Sequence, residues 1–107
     1  MNAQENKIQE MQILEQNLQN IIMQKQAFQM ELYETESALI EIKKSGDEIF
    51  KIVGQLMIKS DKSKILEELL EKEKLLNLRL NSIEKQENSM SKKLSEFRDE
   101  LMKGMDK

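Results

Sequence analysis

Residues 49–59 read IFKIVGQLMIK, and this stretch decides the fold of the 107-residue chain. Two short apolar runs flank Gly54 and Gln55, and a glycine at the first central position of a two-residue connection favours a type II′ turn between antiparallel strands. If Val53 pairs with Leu56, apolar side chains lie on both faces of the resulting β-hairpin. A lone hairpin is marginally stable in water and has two unpaired edges. The stretch therefore predicts assembly with hairpins of other chains; the alternative is a hairpin buried against the chain's own helices.

On both sides of Gly54, apolar residues recur at alternating steps of three and four, the spacing of a coiled-coil seam. The two ladders mirror each other, because residue numbers at matched positions add up to 108. In each ladder, eight of the ten positions are apolar. The predicted fold class is mainly α, an antiparallel two-helix coiled coil with a single β-hairpin at its apex. The ladder positions are Met11, Leu14, Leu18, Ile21, Lys25, Phe28, Leu32, Thr35, Leu39 and Ile42, and then Leu66, Leu69, Glu73, Leu76, Leu80, Ile83, Glu87, Met90, Leu94 and Phe97.

The chain contains no proline, so both helices can run without interruption. We expect the first helix to end with Gly46 in a left-handed conformation. Ser60 and Asp61 compete as the N-cap of the second helix. The expected elements of this single domain, residues 1–107, are a helix at about 5–44, the hairpin at 49–59 and a helix at about 63–102.

Four ladder positions carry polar residues. Lys25 and Glu87 occupy adjacent layers on opposite helices, so we expect them to form a cross-helix ion pair that fixes the register and adds little stability. Thr35 stands opposite Glu73, and both are expected to turn their polar groups outward to solvent.

The composition excludes several function classes. With 38% apolar, 4% aromatic and 35% charged residues, the chain supports a narrow helical stripe rather than a thick globular core. A net charge of −3 argues against a nucleic-acid surface. There is no cysteine, no histidine and no phosphate-binding loop, so we expect no enzymatic activity, cofactor or metal. No signal peptide or transmembrane run is recognisable, which predicts a cytoplasmic protein.

These features resemble the prefoldin family, and specifically its β class (archaeal prefoldin beta and the eukaryotic prefoldin subunit 6 type). The resemblance covers about residues 8–101 and is most specific in the aromatic-Lys-x-x-Gly hairpin. The single hairpin indicates the β class, since the longer α class carries an extra one. The chain departs from the family in its short tail after Met102. The other matching segments are Gln24-Lys25-Gln26, Glu34-Thr35-Glu36-Ser37-Ala38-Leu39, Glu84-Lys85-Gln86-Glu87 and Lys92-Lys93-Leu94.

The resemblance implies a chaperone that acts without ATP. Its hexamer would contain two α-class and four β-class subunits, with the hairpins assembled into a β-barrel and the coiled coils projecting as arms. The arms would hold unfolded polypeptides and deliver them to a group II chaperonin in the cytoplasm.

Two sets of residues are candidates for binding. The oligomerisation set consists of the hairpin residues Ile49, Phe50, Ile52, Val53, Gly54, Leu56, Met57 and Ile58. The client set lies near the two helix ends remote from the hairpin, where flexible methionines suit contact with unlike apolar partners. Its members are Ile8, Met11, Ile13, Leu14, Phe97, Leu101, Met102 and Met105. The alternative is that Met11, Leu14, Leu94 and Phe97 are ordinary seam residues closed against each other.

The sequence is also compatible with a second function, a coiled-coil tether or adaptor that oligomerises through its hairpin. A plain tether does not require a hairpin that is apolar on both faces. An amphipathic membrane binder is disfavoured because glutamate and lysine mix on the faces outside the seam.

Overall fold

The computed structural model describes residues 2–105, without the side chain of Met105. Two long helices flank one antiparallel hairpin, which confirms the predicted fold class. The elements in chain order are α1 at Ala3–Lys44, β1 at Ile49–Val53, β2 at Leu56–Ser60 and α2 at Lys62–Met105.

The described chain forms two compact units. The terminal unit contains residues 2–27 and 80–105, and the hairpin unit contains residues 28–79. Within the terminal unit, α1 and α2 run antiparallel, because ion pairs join Lys7 to Glu100 and Lys25 to Glu87. Within the hairpin unit the helices are also antiparallel: Glu31 lies 3.8 Å from Lys72, and the backbone oxygen of Ser45 lies 2.7 Å from the ammonium of Lys62.

The seam follows the alternating ladder. All twenty ladder positions are buried or half-buried, whereas the positions between them are mostly exposed. Leu76 is the most enclosed, at 2% exposed. A period of 3.5 residues keeps a stripe on the same side of a helix for many turns, so the ladder read from the sequence is the one that packs. The buried apolar residues are Ile21, Leu39, Ile42, Leu76, Leu80, Ile83 and Leu94.

Helix α1 begins two residues earlier than expected because Asn2 caps it. The backbone N–H of Glu5 donates to Asn2 Oδ1 at 2.9 Å, and the backbone N–H of Asn2 donates to Glu5 Oε2 at 3.3 Å. This reciprocal capping box satisfies two N–H groups that have no partner inside the helix.

At the start of α2, Asp61 rather than Ser60 is the cap. Asp61 Oδ1 accepts hydrogen bonds from the backbone N–H and the hydroxyl of Ser63, both at 3.2 Å. Its backbone oxygen accepts the first intrahelical bond, from Ile65 at 3.0 Å.

The expectation that Gly46 ends α1 in a left-handed conformation is wrong, since Gly46 does not have positive φ. The helix ends through Ser45 instead. The Ser45 hydroxyl donates to the Ile42 oxygen at 2.8 Å, and the Ser45 oxygen accepts from Lys62 Nζ. A lysine from the next helix thus supplies the donor that the glycine motif would have supplied from the backbone.

The expectation that Thr35 turns its hydroxyl to solvent is also wrong. Thr35 is only 3% exposed, and its Oγ1 donates to the Glu31 oxygen one turn back at 2.8 Å. A short hydroxyl side chain reaches its own helix backbone, so it can lie in the seam without an unsatisfied polar group. Glu73, with a longer side chain, is half-buried.

The cross-helix pair between Lys25 and Glu87 is confirmed. Lys25 Nζ lies 3.0 Å from Glu87 Oε1, and the side chains are 24% and 21% exposed. Each carries a charge that is largely withdrawn from water, and each depends on the other for compensation.

We expect Lys25→Met alone to lower the free energy of unfolding by about 1 kcal/mol, because Glu87 keeps a half-buried charge without its cation. Lys25→Met combined with Glu87→Met should recover at least the stability of the parent chain. Thermal unfolding followed by circular dichroism, at equal protein concentrations, measures both. A double variant less stable than Lys25→Met would contradict the compensation argument.

The hairpin has the predicted register, with Val53 paired to Leu56. Gly54 is the one residue with positive φ among residues 2–105, at 62°. A type I′ turn needs positive φ at both central residues, whereas a type II′ turn needs it only at the first. Since Gln55 does not have positive φ, the signs of φ are those of the type II′ turn.

We predict that Gly54→Val weakens the hairpin by about 1–3 kcal/mol, because a β-branched residue resists positive φ. A Cβ at position 54 would meet nothing within 4 Å, so the cost arises from the backbone and not from a clash. Hydrogen exchange of the strand amides measures the effect, and Gln55→Val is the matched control. Equal acceleration in the two variants would argue against this turn.

Candidate functional site

The hairpin exposes apolar side chains on both faces. Six of its residues, Phe50, Ile52, Val53, Leu56, Met57 and Ile58, are between 47% and 72% exposed. The alternative of a hairpin buried against its own helices is therefore wrong. The seam side chains of the helices in this unit already pack against each other, so they are not available to cover the strands.

Register divides these residues between the two faces. Because paired residues share a face and successive residues alternate, one face carries Val53, Leu56 and Ile58. The other face carries Ile52 and its partner Met57, together with Phe50. Among residues 2–105, the apolar side chains of both faces stay about half exposed or more, so both faces are accessible to another chain.

Residues at the base of the hairpin contact the helices of its unit. Phe50 lines a groove of about 360 Å³ together with Ala38, Ile65 and Leu69. Beside this groove, Lys51 Nζ lies 3.7 Å from Glu68 Oε2. These contacts fix the base of the hairpin against the helices and leave most of its strand side chains exposed.

The client set lies in the terminal unit, and its members differ in exposure. Ile8, Ile13 and Met102 are 46%, 60% and 65% exposed. Four others are half-buried in or beside the seam, and the side chain of Met105 lies outside the described residues. The half-buried members are Met11, Leu14, Phe97 and Leu101.

A shallow depression on the terminal unit brings together Ile13, Leu14 and Phe97, three members of the client set. Polar residues surround them: Glu10, Asn17 and Lys93. The ammonium of Lys93 lies 5.9 Å from the centre of the Phe97 ring, within the range of a cation–π contact. This depression can accept an apolar side chain against the ring while its rim remains hydrated.

Sequence reasoning missed a further group of exposed apolar residues, which lie off the seam. One of these residues, Met23, lies in the terminal unit. The others lie in the hairpin unit and are Met30, Tyr33, Ile40, Leu70, Leu75 and Leu78. Their helical positions relative to the ladders could have identified them, because a residue between ladder steps faces away from the seam.

Two observations concern other kinds of site. Within residues 2–105, no group of three or more acidic side chains is placed to hold a metal ion. Over the same range, neither α1 nor α2 has a stretch both long and apolar enough to cross a membrane.

The sequence profile of the prefoldin subunit family matches residues 5–107 of the chain. The chain belongs to the prefoldin subunit family. Individual relatives agree with the β class. The chain is 49% identical over 85 residues to prefoldin subunit beta of Thermococcus onnurineus, covering 78% of this chain and 73% of the relative. It is 34% identical over 103 residues to prefoldin subunit beta of Methanothrix thermoacetophila, covering 94% and 86%.

The solved structure of the prefoldin beta subunit from Thermococcus strain KS-1 is similar to the chain, with a TM-score of 0.86 at 34% identity. The match covers 97% of this chain and 93% of the solved one. Prefoldin subunits are chaperones rather than enzymes, so membership of this family assigns a chaperone-type function. Prefoldin subunits also assemble with one another.

We predict that Ile52→Asp combined with Met57→Asp converts the assembled protein into smaller species while helicity is retained. Two charges on a cross-strand pair that is exposed in the single chain would be costly to bury in an interface. Native mass spectrometry and far-UV circular dichroism measure the two outcomes. The matched control is Met30→Asp with Tyr33→Asp, which places the same charges on exposed helix positions. An unchanged oligomer mass in the hairpin variant would show that the strands are not the interface.

Proposed function

We propose that the chain is a subunit of an ATP-independent holdase, which binds unfolded polypeptides with its coiled coil and transfers them to a group II chaperonin in the cytoplasm. The holdase is a hexamer of two α-class and four β-class subunits, and this chain takes a β-class place. Membership of the prefoldin family supports the chaperone part of this proposal. The remaining parts rest on two exposed apolar surfaces.

The oligomerisation set is the assembly element of the proposal. Its strands carry apolar side chains on both faces, and each strand has one edge without a hydrogen-bonded neighbour among residues 2–105. A β-barrel built from several hairpins covers one face and pairs the edges, which removes both causes of instability. The barrel therefore accounts for a hairpin that has no cover of its own.

The client set is the binding element. The observation that carries the holdase proposal is that Ile8, Ile13 and Met102 are exposed outside the seam, although a two-helix pair needs none of them for its core. Burial of apolar area contributes about 25 cal/mol per Å², so a few such contacts retain an unfolded segment without ATP. Each contact is weak, and release to a second chaperone needs no covalent step.

Phe97 and Leu14 have a dual role in this proposal. Both are half-buried ladder residues, and both line the depression beside Ile13. Their buried sides close the seam while their accessible sides contact the client. The two alternatives for these residues are thus compatible.

A coiled-coil tether that oligomerises through its hairpin is the alternative function. A tether needs the seam and the hairpin, and it gains nothing from accessible isoleucine and methionine in the terminal unit. The two functions differ in one measurable property, the suppression of client aggregation.

We predict that the triple change Ile8→Ser, Ile13→Ser and Met102→Ser preserves the oligomer mass and strongly reduces suppression of aggregation of an unfolded client. The three side chains lie off the seam, so the core is unaffected, while the apolar contact area for the client is lost. Light scattering of a chemically unfolded client during dilution measures the activity, and salt should change it little.

The matched control is Met23→Ser, which removes a side chain of the same unit that is 65% exposed but lies outside the client set. It should retain activity. Full activity in the triple variant would support the tether or place the client site elsewhere on the assembly.

A further inference from the structure

The hairpin is joined to the two helices by unequal connections. Asp61 alone lies between β2 and α2, whereas residues 45–48 lie between α1 and β1. Residues 46–48 are exposed, and Gly46 at their start belongs to the residue type with the widest backbone freedom. The backbone of this longer connection therefore leaves the direction of the hairpin relative to the helices of its unit weakly determined.

A hydrogen bond of Lys62 joins the two helix ends from which the hairpin segment leaves and to which it returns. Lys62 is the first residue of α2, and its Nζ donates to the backbone oxygen of Ser45 at 2.7 Å, just after the end of α1. Both residues are half-buried. A charged donor makes this bond stronger than one between neutral groups. Without it, the last turn of α1 would fray more easily, and the connection to β1 would become longer.

The position of Lys62 is unfavourable for its own helix. The first turn of α2 carries no acidic residue but contains Lys62 and Lys64, although the N-terminus of a helix favours negative charge. Asp47 and Asp61 line the same depression as Lys62, yet among residues 2–105 no salt bridge includes Lys62. Its ammonium instead reaches the C-terminal end of α1, where a cation is favoured. A residue that opposes the dipole of its own helix and bonds to the end of another is expected to act outside α2.

The other contacts at the base of the hairpin determine its direction less well. The side chains of Lys51 and Glu68 are 54% and 48% exposed, so their ion pair contributes little. Phe50 packs in its groove through apolar contact, which has no preferred direction. The bond from Lys62 to Ser45 is half-buried, charged and directional, and it is therefore the contact best suited to orient the hairpin.

We propose that Lys62 is a positioning residue for assembly, because its bond to Ser45 holds the end of α1 and sets the direction in which the hairpin leaves the helices. This inference rests on the proposed role of the hairpin in assembly. A closed barrel needs every hairpin in a compatible orientation, and an interface that is ordered before contact loses less entropy when it forms. Lys62 acts on assembly from outside strands β1 and β2.

Titration with a purified archaeal α-class prefoldin subunit, followed by native mass spectrometry, tests the effect on assembly. We expect Lys62→Met to weaken assembly about tenfold, because its hairpin becomes ordered only on contact. Lys62→Arg retains a charged donor and should assemble within about twofold of the parent chain. The matched control is Lys64→Met, which removes the same charge from the same helical turn and should assemble like the parent. Parent-like assembly of Lys62→Met, or an equal loss in Lys64→Met, would overturn the proposal.

The direction of the hairpin can be measured in the single chain. The sequence has no cysteine, so cysteines introduced at the exposed positions Gln55 and Glu34 carry spin labels on the hairpin and on α1. Double electron–electron resonance then gives their distance distribution, at a dilution where native mass spectrometry finds no oligomer. We expect a narrow distribution in the parent and in Lys62→Arg, and a broader one in Lys62→Met with nearly unchanged far-UV helicity. Weaker assembly of Lys62→Met with an unbroadened distribution would contradict a positioning role.

Stiffening the longer connection provides a second test. Gly46 does not have positive φ, and a Cβ there would meet nothing within 4 Å, so Gly46→Ala restricts the backbone without strain. Combined with Lys62→Met, it should recover part of the lost affinity. Absence of any recovery would show that the loss does not arise from freedom of this connection, and the proposal would fail.

The Ile52→Asp and Met57→Asp variant distinguishes the two levels of the argument. If its oligomer mass is unchanged, the hairpin is not the interface and the proposed assembly itself fails. If it dissociates while Lys62→Met assembles like the parent chain, the assembly proposal stands and only the positioning role of Lys62 fails.

Discussion

A pair of helices has a single seam, and each helix can remove from water only the side chains that face it. The chain uses this seam fully, since all twenty ladder positions are buried or half-buried. Apolar side chains elsewhere have no place in the core, and the strands of the hairpin and residues such as Ile13 remain in contact with water. The surfaces available to other chains are therefore a direct consequence of how little a two-helix core can cover.

The polar residues of the seam show how such a core tolerates interruptions. Lys25 and Glu87 compensate each other across the helices at 3.0 Å, and Thr35 donates to its own helix backbone. In both cases the polar group has a hydrogen-bond partner, and the apolar seam around it is retained. The first also constrains the alignment of α1 and α2 within the terminal unit, because Lys25 has to meet Glu87.

The elements that could be predicted from the sequence depend on periodicity and on one special backbone position. The ladders identified the seam, and Gly54 identified the hairpin register, since only glycine adopts positive φ there without cost. The sequence did not reveal how the helices end, because Asn2, Ser45 and Lys62 act through hydrogen bonds whose geometry depends on the folded chain. The exposure of the client set could not be predicted either. A position relative to the ladder gives the helix face of a residue but not the extent to which the neighbouring helix covers it.

Apolar burial alone cannot select a partner, because it has no direction and any apolar surface satisfies it. The hairpin adds a directional feature, the backbone N–H and C=O groups of its edges, which an incoming strand must match in register. The helices that carry Ile13 and Met102 offer no such backbone groups, since a helix satisfies them internally. Flexible apolar side chains on such a helix accept unlike partners. Burial of apolar area is thus combined with register matching on the strands and acts without it on the helices, which is what the proposed assembly and client binding need.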